Sequence, residues 1–375
     1  RRNDLVGRAG DREPEVSRLG GDEFTVLLSR IASAEKAGDV ARRILRALPR
    51  PIQIDDNEVS TTGSIGIAVY PLDGQDTETL VKHADRAMYY AKESGRNNYQ
   101  YFDESMNISS MRKMHLESQL RTALESGQLQ IIYQPRVDLR TGWVCGMEAL
   151  ARWQHPDLGV VSPKEFIPVA EETGLIVSIG QWILENACAQ NRAWQRAGYE
   201  RLLLSVNVSS RQFAQADLHE VIARALHSSG LDPKDLELEI TESTMLQDSE
   251  ETSLALRDLK AMGVRVALDD FGTGYSSLSY LTRFSLDTLK LDRSIVRDVD
   301  SDPAAAGITT AVIAMARSLG LRVVAEGVDT EEQSKFLREK RCDEIQGFLF
   351  SGPVTANEFV RFLTRDGRQR RRLLG

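Results

Sequence analysis

Apolar residues along this chain follow two periods. From about residue 128 onward, short apolar runs alternate with longer stretches whose apolar residues recur every three to four positions. Those are the patterns of buried strands and of amphipathic helices. The first run is LQIIYQPRV at 129–137. Seven more follow: CGMEALARW (145–153), LLLSVNVS (202–209), LELEITE (236–242), VRVALDDFGTG (264–274), TLKLDRS (288–294), LRVVAEGV (321–328) and CDEIQGF (342–348). Helical stretches are predicted at 163–173, 178–198, 210–229, 247–262, 276–284, 303–319, 330–339 and 355–364. Eight strands separated by helices predict an α/β fold, a (β/α)8 TIM-like barrel.

The first hundred residues read differently. RLGGDEFTVLLSR (18–30) predicts strand, tight turn and strand, with Gly20-Gly21 as the turn. A helix is expected over 33–47, with Val40, Ile44 and Leu45 on one face. A strand is expected over 59–71 ending at Pro71, a helix over 76–94, and a last strand at 97–102. This predicts a partial α+β domain with antiparallel strands at 1–103. A helical connector at 104–117, within a helix running to Gly127, would lead to the barrel at 118–370. The basic tail RDGRQRRRLLG is expected to be a solvated end.

Composition narrows the function classes. Over 375 residues, 41% are hydrophobic, 27% are charged and the net charge is −8. That balance argues against a general binder of nucleic-acid polymers. Cys145, Cys188 and Cys342 are scattered without a CxxC pair, which predicts a reducing, cytoplasmic location without disulfides. No apolar run has the ~18 residues of a membrane span, and no signal peptide is read at the start. The chain's opening reads as the middle of a domain, leaving room for a tether or sensor upstream.

The candidate chemistry lies where the seven later runs end. They collect Glu148, Asn207, Glu239, Asp269, Asp270, Lys290, Asp292, Glu326 and Gln346. A (β/α)8 barrel builds its active site from such strand ends. Oxygen donors in this number suit a hard divalent cation, and adjacent carboxylates such as Asp269-Asp270 repel unless cations lie beside them. The five histidines (His83, His115, His155, His219 and His227) fall in predicted helices or loops, so Mg²⁺ or Mn²⁺ is favoured over zinc. Arg152 shares a strand face with Glu148 and would suit a phosphate. Lys290 and Asp292 are expected on one strand face, and Glu242 in the loop after its strand as a positioner. Bland readings stay open for each: a helix cap for Asp270, an ion pair for Glu148 or Lys290, and a buried, backbone-bonded amide for Asn207. A two-carboxylate glycosidase is a further possibility, though Asn207 and Lys290 among clustered acids fit metal–phosphate chemistry better.

At these residues the chain resembles the EAL domain family of cyclic di-GMP phosphodiesterases. The matching motifs are Glu148-Ala149-Leu150-Ala151-Arg152, Ser205-Val206-Asn207-Val208-Ser209, Glu239-Ile240-Thr241-Glu242, Asp269-Asp270-Phe271-Gly272-Thr273-Gly274-Tyr275-Ser276-Ser277-Leu278, Leu289-Lys290-Leu291-Asp292-Arg293 and Ala325-Glu326-Gly327-Val328. The resemblance implies a barrel with one antiparallel strand and metal-dependent hydrolysis of cyclic di-GMP to linear 5′-pGpG. It assigns Glu148, Asn207, Glu239, Asp269 and Asp270 to a two-metal site. It makes Glu148, Lys290, Glu326 and Asp270 catalytic, with Lys290 and Glu326 handling the water and its proton, or Glu326 binding a metal. Gln134, Arg152, Asp292 and Gln346 would touch the nucleotide, and Glu242 would hold the Asp-Asp-Phe-Gly-Thr-Gly loop. Dimerisation through the barrel is a family expectation. The alternatives are a non-catalytic receptor for cyclic di-GMP and, in a longer protein, a bifunctional or net cyclase.

Residues 1–103 are similar to the later part of a GGDEF domain, the diguanylate cyclase family. The motif Gly20-Gly21-Asp22-Glu23-Phe24 is intact, as are Ser64-Ile65-Gly66-Ile67-Ala68 and Ala84-Asp85-Arg86-Ala87-Met88-Tyr89 with Lys92 and Arg96. The family's earlier part, which carries a metal aspartate and nucleotide contacts, has no counterpart here. A regulatory domain able to bind GTP is therefore expected rather than a cyclase. Arg1 and Asp4 have the spacing of the family's inhibitory RxxD. A longer spacer (near Ala9–Arg18) separates them from GGDEF, which weakens the case for product inhibition there.

Overall fold

The computed structural model describes residues 15–29, 31–49, 51–54, 57–245, 250–272, 281 and 283–364. The chain divides into two compact units, Arg1–His115 and Leu116–Gly375. Helix Glu104–Glu125 runs through the point of division.

In the second unit, eight strands close into a barrel. They are β1 (Leu129–Asp138), β2 (Val144–His155), β3 (Leu203–Val208), β4 (Leu236–Thr241), β5 (Arg265–Phe271), β6 (Thr288–Leu291), β7 (Arg322–Ala325) and β8 (Glu344–Ile345). Neighbours from β2 through β8 pair in parallel. β1 is antiparallel to both β2 and β8 and closes the ring. Short strands Gly159–Val161 and Val354–Thr355 extend the sheet beside β2 and β1. The closed barrel with one reversed strand agrees with the fold expected from the sequence.

The strand alternation explains the layering. In β4, Leu236, Leu238 and Ile240 face outward, yet Glu237 and Glu239 on the other face are equally buried. The outward residues pack under the helices, where Trp153 and Phe166 are fully enclosed. Burying such a side chain contributes roughly 1.5–3 kcal/mol. Trp194 stacks on Phe359 at 5.3 Å between ring centroids and meets Tyr133 edge-on at 5.1 Å, tying outer helices to β1. The strands' inner face is polar over two layers, which makes this interior a chemical site rather than an apolar plug.

Helices occupy Pro163–Thr173, Leu175–Arg196, Glu250–Ala261, Pro303–Ser318, Glu331–Glu339 and Ala356–Leu363. The single helix expected over 210–229 is instead two, Ser210–Phe213 and Leu218–Ser229. Ser209 and Gln212 form a capping box that serves the first turn, and the chain turns before Leu218. Polar and alanine residues between the two carry no breaker that a period could register. The helix expected at 276–284 and the loop 273–278 fall largely outside the described residues, as do Arg1, Asp4 and the basic tail.

The first unit has a hairpin, Glu15–Gly20 with Glu23–Leu27. Helices lie at Glu35–Ala47 and Thr77–Glu93. The strand expected over 59–71 is confined to Ile65–Ile67, and it pairs in parallel with Tyr99–Tyr101, not antiparallel. A second small hairpin, Ile52–Ile54 with Asn57–Val59, takes part of the predicted segment. Ala37, Ala41 and Ile67 form the small core between these elements.

Candidate active site

Period-two alternation turns interior residues of β2 to β8 toward one end of the barrel, and Gln134 of the reversed β1 joins them. Register aligns them: Asn207 lies beside Glu239, Thr241 beside Asp269, and Gln134 opposite Glu148. Lys290, 1% exposed, occupies the centre. Its Nζ lies 2.6 Å from Glu326 Oε1, 2.7 Å from Glu239 Oε2, 3.0 Å from Asp269 Oδ1 and 3.7 Å from Glu148 Oε2. One ammonium thus serves four carboxylates from four different strand ends.

Amides surround Glu148. Asn207 Nδ2 donates to Glu148 Oε1 at 2.6 Å, and Gln346 Nε2 donates to Glu148 Oε2 at 2.6 Å. Gln346 Nε2 also reaches Gln134 Oε1 at 3.1 Å, and Gln134 Nε2 donates to the Ser351 carbonyl at 3.2 Å. Gly347 lets Gln346 sit there, because a Cβ on Gly347 would lie 2.1 Å from the Val328 carbonyl oxygen.

The electrostatics follow from four acids around one lysine in a closed space. Burial opposes charge on Lys290, but Asp269, Glu148, Glu239 and Glu326 together hold its ammonium well above the usual range. Burial also opposes charge on Glu148, yet Lys290 and the amides of Gln346 and Asn207 keep its carboxyl below the usual value. Glu239 is pushed the other way, by burial and then by Glu148. Burial raises Glu326 to about 8, Lys290 opposing and Asp269 and Glu148 adding to the rise. Burial and Asp269 raise Asp270 as well.

Like charges at this density call for more positive charge than Lys290 supplies. Ligand oxygens of Asp269, Asp270 and Glu326 lie within 4.8 Å of one another, a group that could hold a metal ion. Glu239 Oε1 is sealed from solvent without a hydrogen-bond donor among the described residues. Asp270 adopts φ +54°, in the left-handed region that residues other than glycine rarely take. The donor set is all oxygen, with no histidine, and fits a hard divalent cation.

Sequence comparison places this site in a family. Residues 117–353 match the EAL domain. The chain belongs to the EAL domain family. Residues 5–98 of this EAL protein match the diguanylate cyclase GGDEF domain. Among curated relatives, the bifunctional diguanylate cyclase/cyclic di-GMP phosphodiesterase MucR of Pseudomonas aeruginosa is 44% identical over 92% of this chain and 50% of its own. The cyclic di-GMP phosphodiesterase PdeR of Escherichia coli is 39% identical over 95% of this chain and 53% of its own. The chain thus spans about half the length of these relatives. Among solved structures, the PaMucR phosphodiesterase in complex with c-di-GMP superposes with a TM-score of 0.63 and 45% identity, covering 65% of this chain and 99% of that one.

The EAL barrel gathers Glu148, Asn207, Glu239, Asp269, Lys290, Glu326, Gln134 and Gln346 into one connected cluster, with Asp270 at its edge. Some expectations need correction. Asn207 is exposed at the barrel mouth rather than buried, and it bonds a carboxylate rather than backbone. Asp292 does not lie on the strand with Lys290: β6 ends at Leu291, and Asp292 caps helix Arg293–Val296 by accepting from Ser294 N at 2.8 Å. Glu242 begins helix Glu242–Met245 and is buried, not set in an open loop. Arg152 is half-buried in β2, and its Nη1 donates to the Ala151 carbonyl at 2.7 Å. The loop that Glu242 was expected to hold lies largely outside the described residues.

In the GGDEF unit the turn falls on Gly21-Asp22, with Gly21 at φ +51°. Gly20 pairs with Glu23 across the hairpin, and Arg18 Nε donates to the Gly21 carbonyl at 2.8 Å. Asp22, Glu23 and Phe24 are all exposed.

The sequence-based list missed a second polar layer beneath the first, made by Arg136, Ser205, Glu237, Thr288 and Glu344, all buried. Each lies two residues from a site residue on its own strand, or continues its strand inward. The signal was present as the pairs Ser205/Asn207, Glu237/Glu239, Thr288/Lys290 and Glu344/Gln346.

Among the described residues, no helix is long and apolar enough to cross a membrane. No cysteine is paired.

Proposed function

We propose that the barrel hydrolyses cyclic di-GMP to linear 5′-pGpG. The observation that carries this is the Lys290-centred cluster of Glu148, Glu239, Asp269 and Glu326 with its amide ring, in a chain similar to a phosphodiesterase solved with c-di-GMP. Glu148, Asn207, Glu239, Asp269 and Asp270 would hold Mg²⁺ or Mn²⁺. Bound there, the ions lower the pKa of water and neutralise charge developing on the phosphoryl oxygens.

The chain's own residues do the rest. Gln134, Gln346 and Arg152 orient the phosphodiester and its nucleosides, a contribution of positioning. Asp292 caps a helix at the mouth and offers its remaining oxygen to the nucleotide. Lys290 Nζ faces the charge that builds on the phosphoryl group. Water attacks phosphorus, and the bond to one 3′ oxygen breaks. Glu326, in its ionised form, takes the water's proton, and the leaving 3′ oxygen ends protonated. Glu242 steadies the loop after β5. The GGDEF unit, with Gly20, Gly21, Asp22, Glu23 and Phe24 at its hairpin, is regulatory and binds GTP. A homodimeric, cytoplasmic protein with limits at 1–103, 104–117 and 118–370 completes the proposal.

The test is incubation with cyclic di-GMP in Mg²⁺, in Mn²⁺ and in EDTA, with chromatography of the nucleotides. Metal-dependent 5′-pGpG, abolished in Glu148→Ala and Asp269→Asn, supports it. Wild-type rates in those variants, or in EDTA, sink it. Tight binding without turnover would make the barrel a receptor.

A further inference from the structure

Beneath the cluster of acids lies a second, fully buried set of polar groups centred on Arg136, which is 0% exposed. Its guanidinium touches three other strands. Nε donates to Glu344 Oε2 on β8 at 2.9 Å, and Nη1 donates to Ser205 Oγ on β3 at 2.6 Å and to Glu237 Oε1 on β4. Ser205 Oγ in turn donates to Glu237 Oε1 at 2.9 Å, and Thr288 Oγ1 on β6 to Glu237 Oε2 at 2.6 Å. Arg322 Nε on β7 donates to Glu344 Oε1 at 3.0 Å. Every strand tied here by Ser205, Glu237, Thr288 or Glu344 delivers, two residues further along, a member of the active cluster.

Two features set Arg136 apart from a closing salt bridge. Its Nη1 lies 3.9 Å from Glu239 Oε1, a charge-pair distance from a sealed oxygen that accepts no hydrogen bond among the described residues. And β8, which joins the barrel through two paired residues on each side, depends on few ladder bonds. Arg136–Glu344 and Gln134–Gln346 are interior links that tie it to β1.

We propose that Arg136 is a positioning residue for the metal-binding layer. It sets the height and facing of Glu239 from below and, through Glu344, those of Gln346, which holds Glu148. The guanidinium touches neither substrate nor ion; it determines where the oxygen ligands stand. This rests on the acidic cluster being a metal centre, but not on the identity of the substrate.

The test measures Mn²⁺ binding by calorimetry, together with melting temperature and steady-state kinetics, on the full chain. Arg136→Met should weaken Mn²⁺ binding by about ten-fold or more, the scale seen when groups supporting metal ligands are lost. Its kcat should fall with KM for cyclic di-GMP little changed. Arg136→Lys, which keeps the charge but loses the fork, should recover part of the Mn²⁺ affinity. Arg136→Met/Glu237→Gln removes the charge pair together and guards against loss of folding. It should remain weak for Mn²⁺. Ile179→Ala, a buried apolar change on an outer helix, should lower the melting temperature without moving Mn²⁺ affinity. Wild-type Mn²⁺ affinity in either Arg136→Met variant, or an equal loss in Ile179→Ala, overturns the proposal. A wild-type chain that binds no Mn²⁺ removes its basis. Mn²⁺ binding without cyclic di-GMP turnover leaves it standing and refutes the substrate instead.

Discussion

Lys290 Nζ lies 2.6 Å from Glu326 Oε1, joining the ends of β6 and β7 inside the barrel. The backbone brings them there, since Glu326 N donates to the Leu291 carbonyl at 3.0 Å, one residue past Lys290. A cation placed between a carboxyl raised to about 8 and three more acids supplies charge to the site before any metal does.

Lys290→Met tests that role. Removing one partner of a buried, multiply paired charge destabilises by about 3–5 kcal/mol, because the remaining charges stay buried. The metal-free variant should melt well below wild type in EDTA. Mn²⁺ should restore part of the difference, since ions replace the missing positive charge. Turnover should fall by at least about 100-fold even with metal, if the ammonium faces the developing phosphoryl charge. A variant that melts as wild type does in EDTA would refute the counter-charge role.

Glu326 predicts a pH dependence of the metal-free protein. Its folded value, about 8, lies above the ordinary 4.5, so the folded state keeps a proton that the unfolded chain has released. Stability falls wherever the folded state binds more protons as pH rises. This contribution is therefore intact below about 4.5, declines through the interval and is lost above about 8. Glu326→Gln should flatten the fall in melting temperature between pH 5 and 8 in EDTA. An unchanged slope would show that another group causes it. Mn²⁺ should flatten the wild-type slope too, because the ion takes the proton's place.

The barrel was legible because each of the seven later strands ends its apolar run with a group suited to chemistry. Glu239 shows the limit of that signal. Attention to the later inward acid of LELEITE finds Glu239, but Glu237, on the same inward face, reads as one more charge in an alternating strand. Only closure of the barrel reveals that both faces of β4 are buried, and that Arg136 from the reversed β1 meets Glu237. Asp292 misled for a different reason. Its spacing from Lys290 suits a strand face, but β6 stops one residue earlier and Asp292 turns into a helix cap, a competition local to Asp and invisible to a period-two count. In the first unit, three-residue strands are too short for alternation to fix their partners, so the parallel pairing of Ile65–Ile67 could not be anticipated.

Asn207 offers a test with an unusual sign. Its amide donates to Glu148 Oε1 at 2.6 Å. Asn207→Asp replaces that donor by a carboxylate oxygen facing another. Without metal the two repel, and the melting temperature in EDTA should drop. With Mn²⁺ the new carboxylate adds a charged oxygen ligand, so the metal-induced rise should exceed that of wild type. A smaller rise than wild type would show that Asn207 does not face the ion.

Gly347 is the last case, and it separates positioning from chemistry. A Cβ at this position would lie 2.1 Å from the Val328 carbonyl oxygen and 2.4 Å from Val328 N. Backbone cannot yield as a flexible side chain does, and Val328 N already donates to the Gln346 carbonyl at 3.1 Å. Gly347→Ala should therefore push β8 outward, costing about 1–3 kcal/mol as an overpacked site. The displacement carries Gln346 with it and lengthens its 2.6 Å bond to Glu148. Activity should fall by more than the loss of the Gln346 side chain alone, because Glu148 loses one of its two amide donors while β8 also shifts. The comparison is Gln346→Ala against Gly347→Ala, in kcat/KM and in urea unfolding. If Gly347→Ala unfolds at the wild-type urea concentration, the close approach is not a constraint. If it is destabilised but as active as wild type, β8 does not set the position of Glu148.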